Sequence, residues 1–143
     1  MIKLIETVSR TDLETIASIW LKSNLDAHDF IEKSYWLHNY PVVKAMLPKA
    51  KLFVYYQHDE IIGFLGMVDD FIAGIFVLSE YRSLGIGTQL LNKVKTSCSH
   101  LSLSVYSKNE SAVRFYLKHG FKALKKQTDH ETNEAEWLME WTA

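Results

Sequence analysis

The heptad Arg82-Ser83-Leu84-Gly85-Ile86-Gly87-Thr88 joins a permanent cation to two closely spaced glycines, between an apolar stretch and an amphipathic one. Glycine lets backbone approach a ligand closely, and a helix starting here offers unpaired N–H groups and the positive end of its dipole. A pyrophosphate suits that arrangement, with the forked charge of Arg82 beside it. A P-loop does not fit, because Thr88-Gln89 follows the second glycine where Lys-Ser or Lys-Thr is needed. A dinucleotide fingerprint fits badly too, since Leu90 stands where a third small residue belongs. On the heptad alone, a tight strand-to-helix turn without a ligand remains the alternative.

A second pattern follows in Asn109-Glu110-Ser111-Ala112-Val113-Arg114-Phe115-Tyr116-Leu117-Lys118-His119-Gly120-Phe121. Together, Arg-x-x-Gly-x-Gly at Arg82, Gly85 and Gly87 and Asn-x-x-Ala-x-x-x-Tyr-x-x-x-Gly-Phe at Asn109, Ala112, Tyr116, Gly120 and Phe121 resemble the GNAT acetyltransferase superfamily. The match runs from Phe71 to Phe121, and the order of the remaining segments agrees with it. The chain is also similar to small bacterial members described as amino-acid or protein-lysine acetyltransferases, through Ala27-His28-Asp29-Phe30 and the ending Trp137-Leu138-Met139-Glu140-Trp141.

The resemblance implies an N-acetyltransferase that moves the acetyl group of acetyl-CoA to a primary amine, on a small metabolite or a protein lysine. It implies that the backbone of Ile75 and Val77 pairs with the pantetheine arm. The turn from Arg82 through Ser83, Leu84, Gly85, Ile86 and Gly87 to Thr88 then holds the pyrophosphate. Leu84 departs from the family's usual small or basic choice, which puts one phosphate contact in doubt. Gly74 is consistent with a bulge that splays two central parallel strands, or with packing against a bulky neighbour. Asn109 carries over as a cofactor contact, and an ordinary helix N-cap explains it equally well. Tyr116 carries over as the proton donor to the departing thiolate; read from its spacing alone it is a core aromatic. A non-catalytic acyl-CoA-binding module is the alternative function, and Tyr116 argues against it.

His28 is the first candidate for a general base, because imidazole titrates near neutrality and the segment between the first two helices borders the acceptor site in the family. Asp29, Asp69 and Glu80 are other candidates, and a plain loop histidine is the competing reading of His28. Tyr35 and Trp36 are the best candidates for acceptor-pocket walls. The single Cys98 reads as a structural thiol, and no His, Cys and carboxylate grouping has metal-site spacing, so no metal is expected.

These residues need a scaffold. Alternation marks strands at Met1 to Thr7, Leu52 to Gln57, Ile61 to Val68, Phe71 to Val77, Leu101 to Tyr106, Phe121 to Thr128 and Ala135 to Thr142. Helical spacing marks a segment opened by a Thr11/Glu14 capping box, another from Tyr35 to Leu47 started or kinked by Pro41, and two more over Ser83 to Ser97 and Asn109 to His119. Ser23 to Ser34 reads as a loop. The expected fold is α+β: one domain over residues 1–143, with a mixed, mostly antiparallel sheet of seven strands and four helices.

Sixteen Lys and Arg against seventeen Asp and Glu leave a net charge of -1, which gives no global reason for a nucleic-acid or anionic-membrane partner. The lysines of Lys122 to Lys126 read as the solvated face of a strand. No apolar leader precedes Glu6 to Glu14, and cytoplasm is the expected compartment. A monomer and a homodimer are both compatible with the sequence.

Overall fold

The computed structural model describes residues 1–143. Seven strands form one sheet in the order β1-β2-β3-β4-β5-β7-β6: β1 Ile2–Ile5, β2 Lys51–Gln57, β3 Glu60–Val68, β4 Phe71–Val77, β5 His100–Tyr106, β6 Lys122–Asp129 and β7 Glu134–Thr142. Every neighbouring pair is antiparallel except β4 and β5. Those two are joined by a helical crossover, as parallel strands require. The α+β sheet expected from the sequence is the one observed, with four α-helices: α1 Arg10–Ala27, α2 Lys33–Met46, α3 Ile86–Lys95 and α4 Glu110–Lys118.

The helices cover both faces of the sheet. One core joins Ile86, Leu90, Leu91 and Val94 of α3 to Leu101, Leu103 and Met139 of the central strands. A second joins Ile16, Ala17 and Ile19 of α1 to Leu52, Val54, Ile61 and Phe64. β3 lies between them, which is why Ile61 through Met67 are all buried. Buried on both faces, that strand reads as a continuous apolar run rather than an alternation.

Four boundaries differ from the sequence reading. Ser9, not Thr11, caps α1: its hydroxyl accepts from the Asp12 N–H at 3.1 Å. Glu14 pairs instead with Lys44 of α2. α1 also takes in Ser23 to Ala27, expected as loop, because buried Ser23 and Asn24 continue its inner face and the Asn24 amide donates to the Trp20 carbonyl at 2.9 Å. α2 starts at Lys33 and continues through Pro41, so Pro41 does not start it; Pro41 and Leu37 are exposed, where water can take the carbonyl that loses its donor. α3 starts at Ile86 rather than Ser83, because Ser83 (φ 64°) and Gly85 (φ 83°) are left-handed and cannot belong to an α-helix.

Gly120 ends α4 at φ 90°, and a Cβ there would stand 3.2 Å from Trp141 Cδ1. Strain and crowding act together, so Gly120→Ala is expected to cost about 1–2 kcal/mol, read as a lowered denaturant midpoint with unchanged slope.

Candidate active site

β4 and β5 pair only at Phe71↔Ser102 and Ile72↔Leu103 and then separate. The cause lies one residue on. Gly66 opposes Gly74 while Met67 opposes Ile72, so Ala73 is an extra residue that bulges β4. A bulge bends its strand and breaks the ladder. Gly74 also makes room: a Cβ on it would lie 2.4 Å from the Phe76 ring, which covers that position. The Leu78 N–H bonds to the Ile62 carbonyl on β3, so alternation turns the backbone groups of Ile75 and Val77 toward the gap.

Two cavities open from this gap. The first, about 490 Å³, is lined by Ile75 and Val77, the turn residues Arg82, Ser83, Gly85, Ile86, Gly87 and Thr88, and one face of α4. Left-handed Ser83 and Gly85 turn the chain so that α3 begins with its free N–H groups beside the cleft. Leu84 is outside the lining and 65 % exposed. Arg82 is tied back, its Nε donating to the Val77 carbonyl at 3.2 Å and its Nη2 standing 3.6 Å from Asp26. The sequence reading missed Ser111, Phe115 and Lys118 of the lining. Their i, i+4, i+7 spacing, one helix face after Asn109, was the available signal.

The second cavity, about 540 Å³, lies on the other side of β4 and is walled by Trp20, His28, Trp36 and Tyr106, with Asn109 among its lining residues. Asn109 lines this cavity and not the first. It caps α4, its Oδ1 accepting from the Ala112 N–H at 3.3 Å. Ile75, Ala112 and Tyr116 line both cavities. Tyr116 is 7 % exposed, and burial pushes its phenol above the ordinary range, so it holds its proton at any physiological pH.

His28 caps the end of α1 and stacks on Trp36 with ring centroids 5.4 Å apart. Because Asn109 Oδ1 serves the helix, its Nδ2 faces His28 Nε2 at 3.1 Å and donates to it. That fixes the neutral tautomer with the proton on Nδ1, where it is buried without a partner. Burial lowers the pKa of His28 to about 4. The imidazole thus lines the cavity but has no free lone pair for the base role assigned from sequence. Asp29 is exposed, Asp69 sits on the exposed β3–β4 turn and Glu80 accepts from Ser79, all outside the cavity lining.

The depressed pKa has a sign. Unfolded, His28 binds a proton below about pH 6.5, whereas folded it does so only near pH 4, so stability falls as pH drops through that window. With solvent screening discounted, the loss is on the order of 2 kcal/mol. His28→Gln keeps an acceptor for Asn109 and removes the titration. Thermal melts from pH 7 to pH 4 should fall less steeply in that variant than in the parent.

Of the two expected wall residues Trp36 lines the cavity and Tyr35 of α2 does not; Tyr35 instead donates to the lining Glu131 at 3.2 Å, while Tyr106 donates to Asp129 at 2.6 Å. Asp129, Glu131 and Glu136 line this cavity, and the sequence reading missed all three. No grouping of three or more His, Cys, Asp or Glu has metal-site geometry.

The splayed strands, the left-handed turn at the head of α3 and Tyr116 thus lie together around the two cavities. The family model for an acetyltransferase (GNAT) domain matches residues 26–138, and this chain belongs to that family. It is 33 % identical over 140 residues, 96 % of each chain, to the peptidyl-lysine N-acetyltransferase YiaC of Escherichia coli. It is 31 % identical over 110 residues to the peptidyl-lysine N-acetyltransferase YjaB of the same organism, covering 76 % of this chain and 75 % of that one. The solution structure of apo YjaB superposes with a TM-score of 0.84 at 25 % identity, over 99 % of this chain and 97 % of that one. An aminoglycoside 6′-N-acetyltransferase solved with coenzyme A shares the fold, with a TM-score of 0.74 at 14 % identity over 99 % and 96 % of the two chains.

Proposed function

We propose that this acetyltransferase moves the acetyl group of acetyl-CoA to the ε-amine of a lysine in a protein or peptide. The observation that carries the reading is the pair of cavities meeting at Ile75, Ala112 and Tyr116. A donor held in one reaches an acceptor held in the other only there. In the first cleft the N–H groups of the turn and α3 take the pyrophosphate, aided by Lys118 and Arg82, and Ile75 and Val77 offer strand-like pairing to the pantetheine arm.

The reaction is direct attack. A lysine amine with an unperturbed pKa near 10.4 is neutral in only about one molecule in 2,500 at pH 7, so a path for its proton is needed. His28, whose Nε2 already accepts from Asn109, is not that path, and the proton leaves through water toward the carboxylates of the second cavity. The neutral nitrogen attacks the thioester carbonyl, and the oxyanion that forms is held by a backbone N–H of the splayed β4. As the C–S bond breaks, Tyr116 gives its proton to the thiolate and later regains one from solvent. Burial keeps that proton in place until the thiolate appears.

The second cavity suits a lysine because Trp20, Trp36 and Tyr106 form an apolar, aromatic wall for a four-carbon stem. No helix of this chain is long and apolar enough to cross a membrane. We place its activity in the cytoplasm, where the one free thiol, Cys98, stays reduced.

Thiol release from acetyl-CoA, measured with lysine peptides, free amino acids, polyamines and aminoglycosides in parallel, tests the acceptor class. Peptides are expected to give the highest kcat/KM. Release with a small amine alone would overturn the peptide reading.

A further inference from the structure

The second cavity carries three carboxylates, Asp129, Glu131 and Glu136, and no lysine or arginine among its lining residues. None of the three makes an ion pair: the nearby cation Lys108 is taken by Glu134 at 3.0 Å. Their hydrogen bonds come from neutral donors. Tyr106 and the Glu131 N–H serve Asp129, Tyr35 serves Glu131 Oε2, and Gln127 approaches Glu136 Oε2 at 3.4 Å. These bonds fix the β6–β7 hairpin against α2 and β5 without cancelling its charge, and they leave Glu131 Oε1 and Glu136 Oε1 open.

A second observation points to a ligand in the same place. The indole N–H of Trp36, on a cavity-lining side chain only 6 % exposed, has no partner, and neither has the Nδ1–H of His28 stacked on it. Buried donors of this kind ask for an acceptor. A peptide carbonyl supplies one. The cavity thus joins uncompensated negative charge to a wall, Trp36 and His28, whose buried polar hydrogens lack partners.

The target lysine cannot balance that charge during reaction, since its nitrogen must be neutral to attack. Left alone with three carboxylates, its ammonium form would be favoured and its reactivity lowered. We propose that the acceptor lysine is selected by a second positive charge on a neighbouring residue of the same peptide, held by Asp129, Glu131 and Glu136 at the β6–β7 hairpin. The inference rests on the lysine-peptide reading above and adds the sequence context that the site takes.

The test uses N-terminally blocked peptides with one lysine, flanked by arginine, glycine or glutamate, and a linear polyamine as a separate arm. The arginine-flanked peptide should exceed the glycine-flanked one in kcat/KM about ten-fold, with the glutamate-flanked one lowest and the spread narrowing as salt rises. In the double variant Asp129→Asn, Glu131→Gln, whose side chains still accept from both tyrosines, the spread should shrink to about two-fold or less. Equal turnover of the three peptides by the parent protein, which needs no variant to fold, overturns the inference and leaves the lysine-peptide reading standing. A spread that survives in the double variant likewise overturns the hairpin's part. A polyamine turned over faster than every peptide assigns the charges to a small polycation instead. Turnover of no peptide overturns the lysine-peptide reading and this inference with it.

Discussion

Tyr116→Phe is expected to lower kcat about 100-fold or more while the dissociation constant for acetyl-CoA changes by no more than about three-fold. The ring keeps its place, since the phenylalanine retains the packing among Ala112, Phe115 and Phe121 that surrounds the buried tyrosine. Only the hydroxyl is lost. Without it the thiolate must leave unprotonated or take a proton from water, and the effect falls on turnover rather than binding. A pH profile separates this from a structural effect: the parent should hold its activity to high pH, because burial keeps the phenol protonated. If kcat in the variant matched the parent, Tyr116 would be a core aromatic and nothing more.

Gly87→Asp should do the opposite, removing cofactor binding while leaving the fold intact or slightly stabilised. Gly87 is the second residue of α3, where an acidic side chain favours a helix by about 0.3–1 kcal/mol. There is space for the substitution: a Cβ would stand 3.5 Å from the Phe115 ring and 3.8 Å from Ile75 Cγ2, both ordinary contacts. The carboxylate, however, would enter the cleft where the turn's N–H groups await a pyrophosphate. Acetyl-CoA affinity is expected to fall about 100-fold by calorimetry, with Tm unchanged or raised. Retained affinity would move the pyrophosphate away from this turn.

How much of this was legible in the sequence depended on how local each signal was. The turn before α3 announces itself within seven residues, and its two left-handed positions are set by nearby chain. Gly74 was compatible with a bulge of β4 or with packing against a bulky neighbour, and both hold, since Phe76 covers it and Ala73 is extruded beside it. Tyr116 could be placed only through the spacing of a second motif. The acceptor side was less accessible. Tyr35 and Glu131 are 96 positions apart and meet only because the loop between β6 and β7 reaches the start of α2, so no window of sequence contains both. His28 shows a different limit. Its ordinary chemistry suggests a base, but the amide of Asn109, oriented by the start of α4, removes the lone pair a base would use.

The extended α1 has the same origin. Ser23 and Asn24 look like loop residues by propensity, yet both are buried against the sheet, and tertiary packing overrides the local preference. That extra length carries His28 to the second cavity rather than into a free loop.

The central claim is that this site acetylates a lysine side chain with acetyl-CoA, and mass mapping of the product tests it most directly. A blocked peptide with one arginine and one lysine, incubated with acetyl-CoA and the purified protein, should gain a single acetyl group on the lysine ε-nitrogen, in step with CoA release. The Tyr116→Phe protein should form that product far more slowly. A peptide that stays unmodified while the protein binds acetyl-CoA, across several such sequences, would contradict the account and leave a cofactor-binding site with a different acceptor.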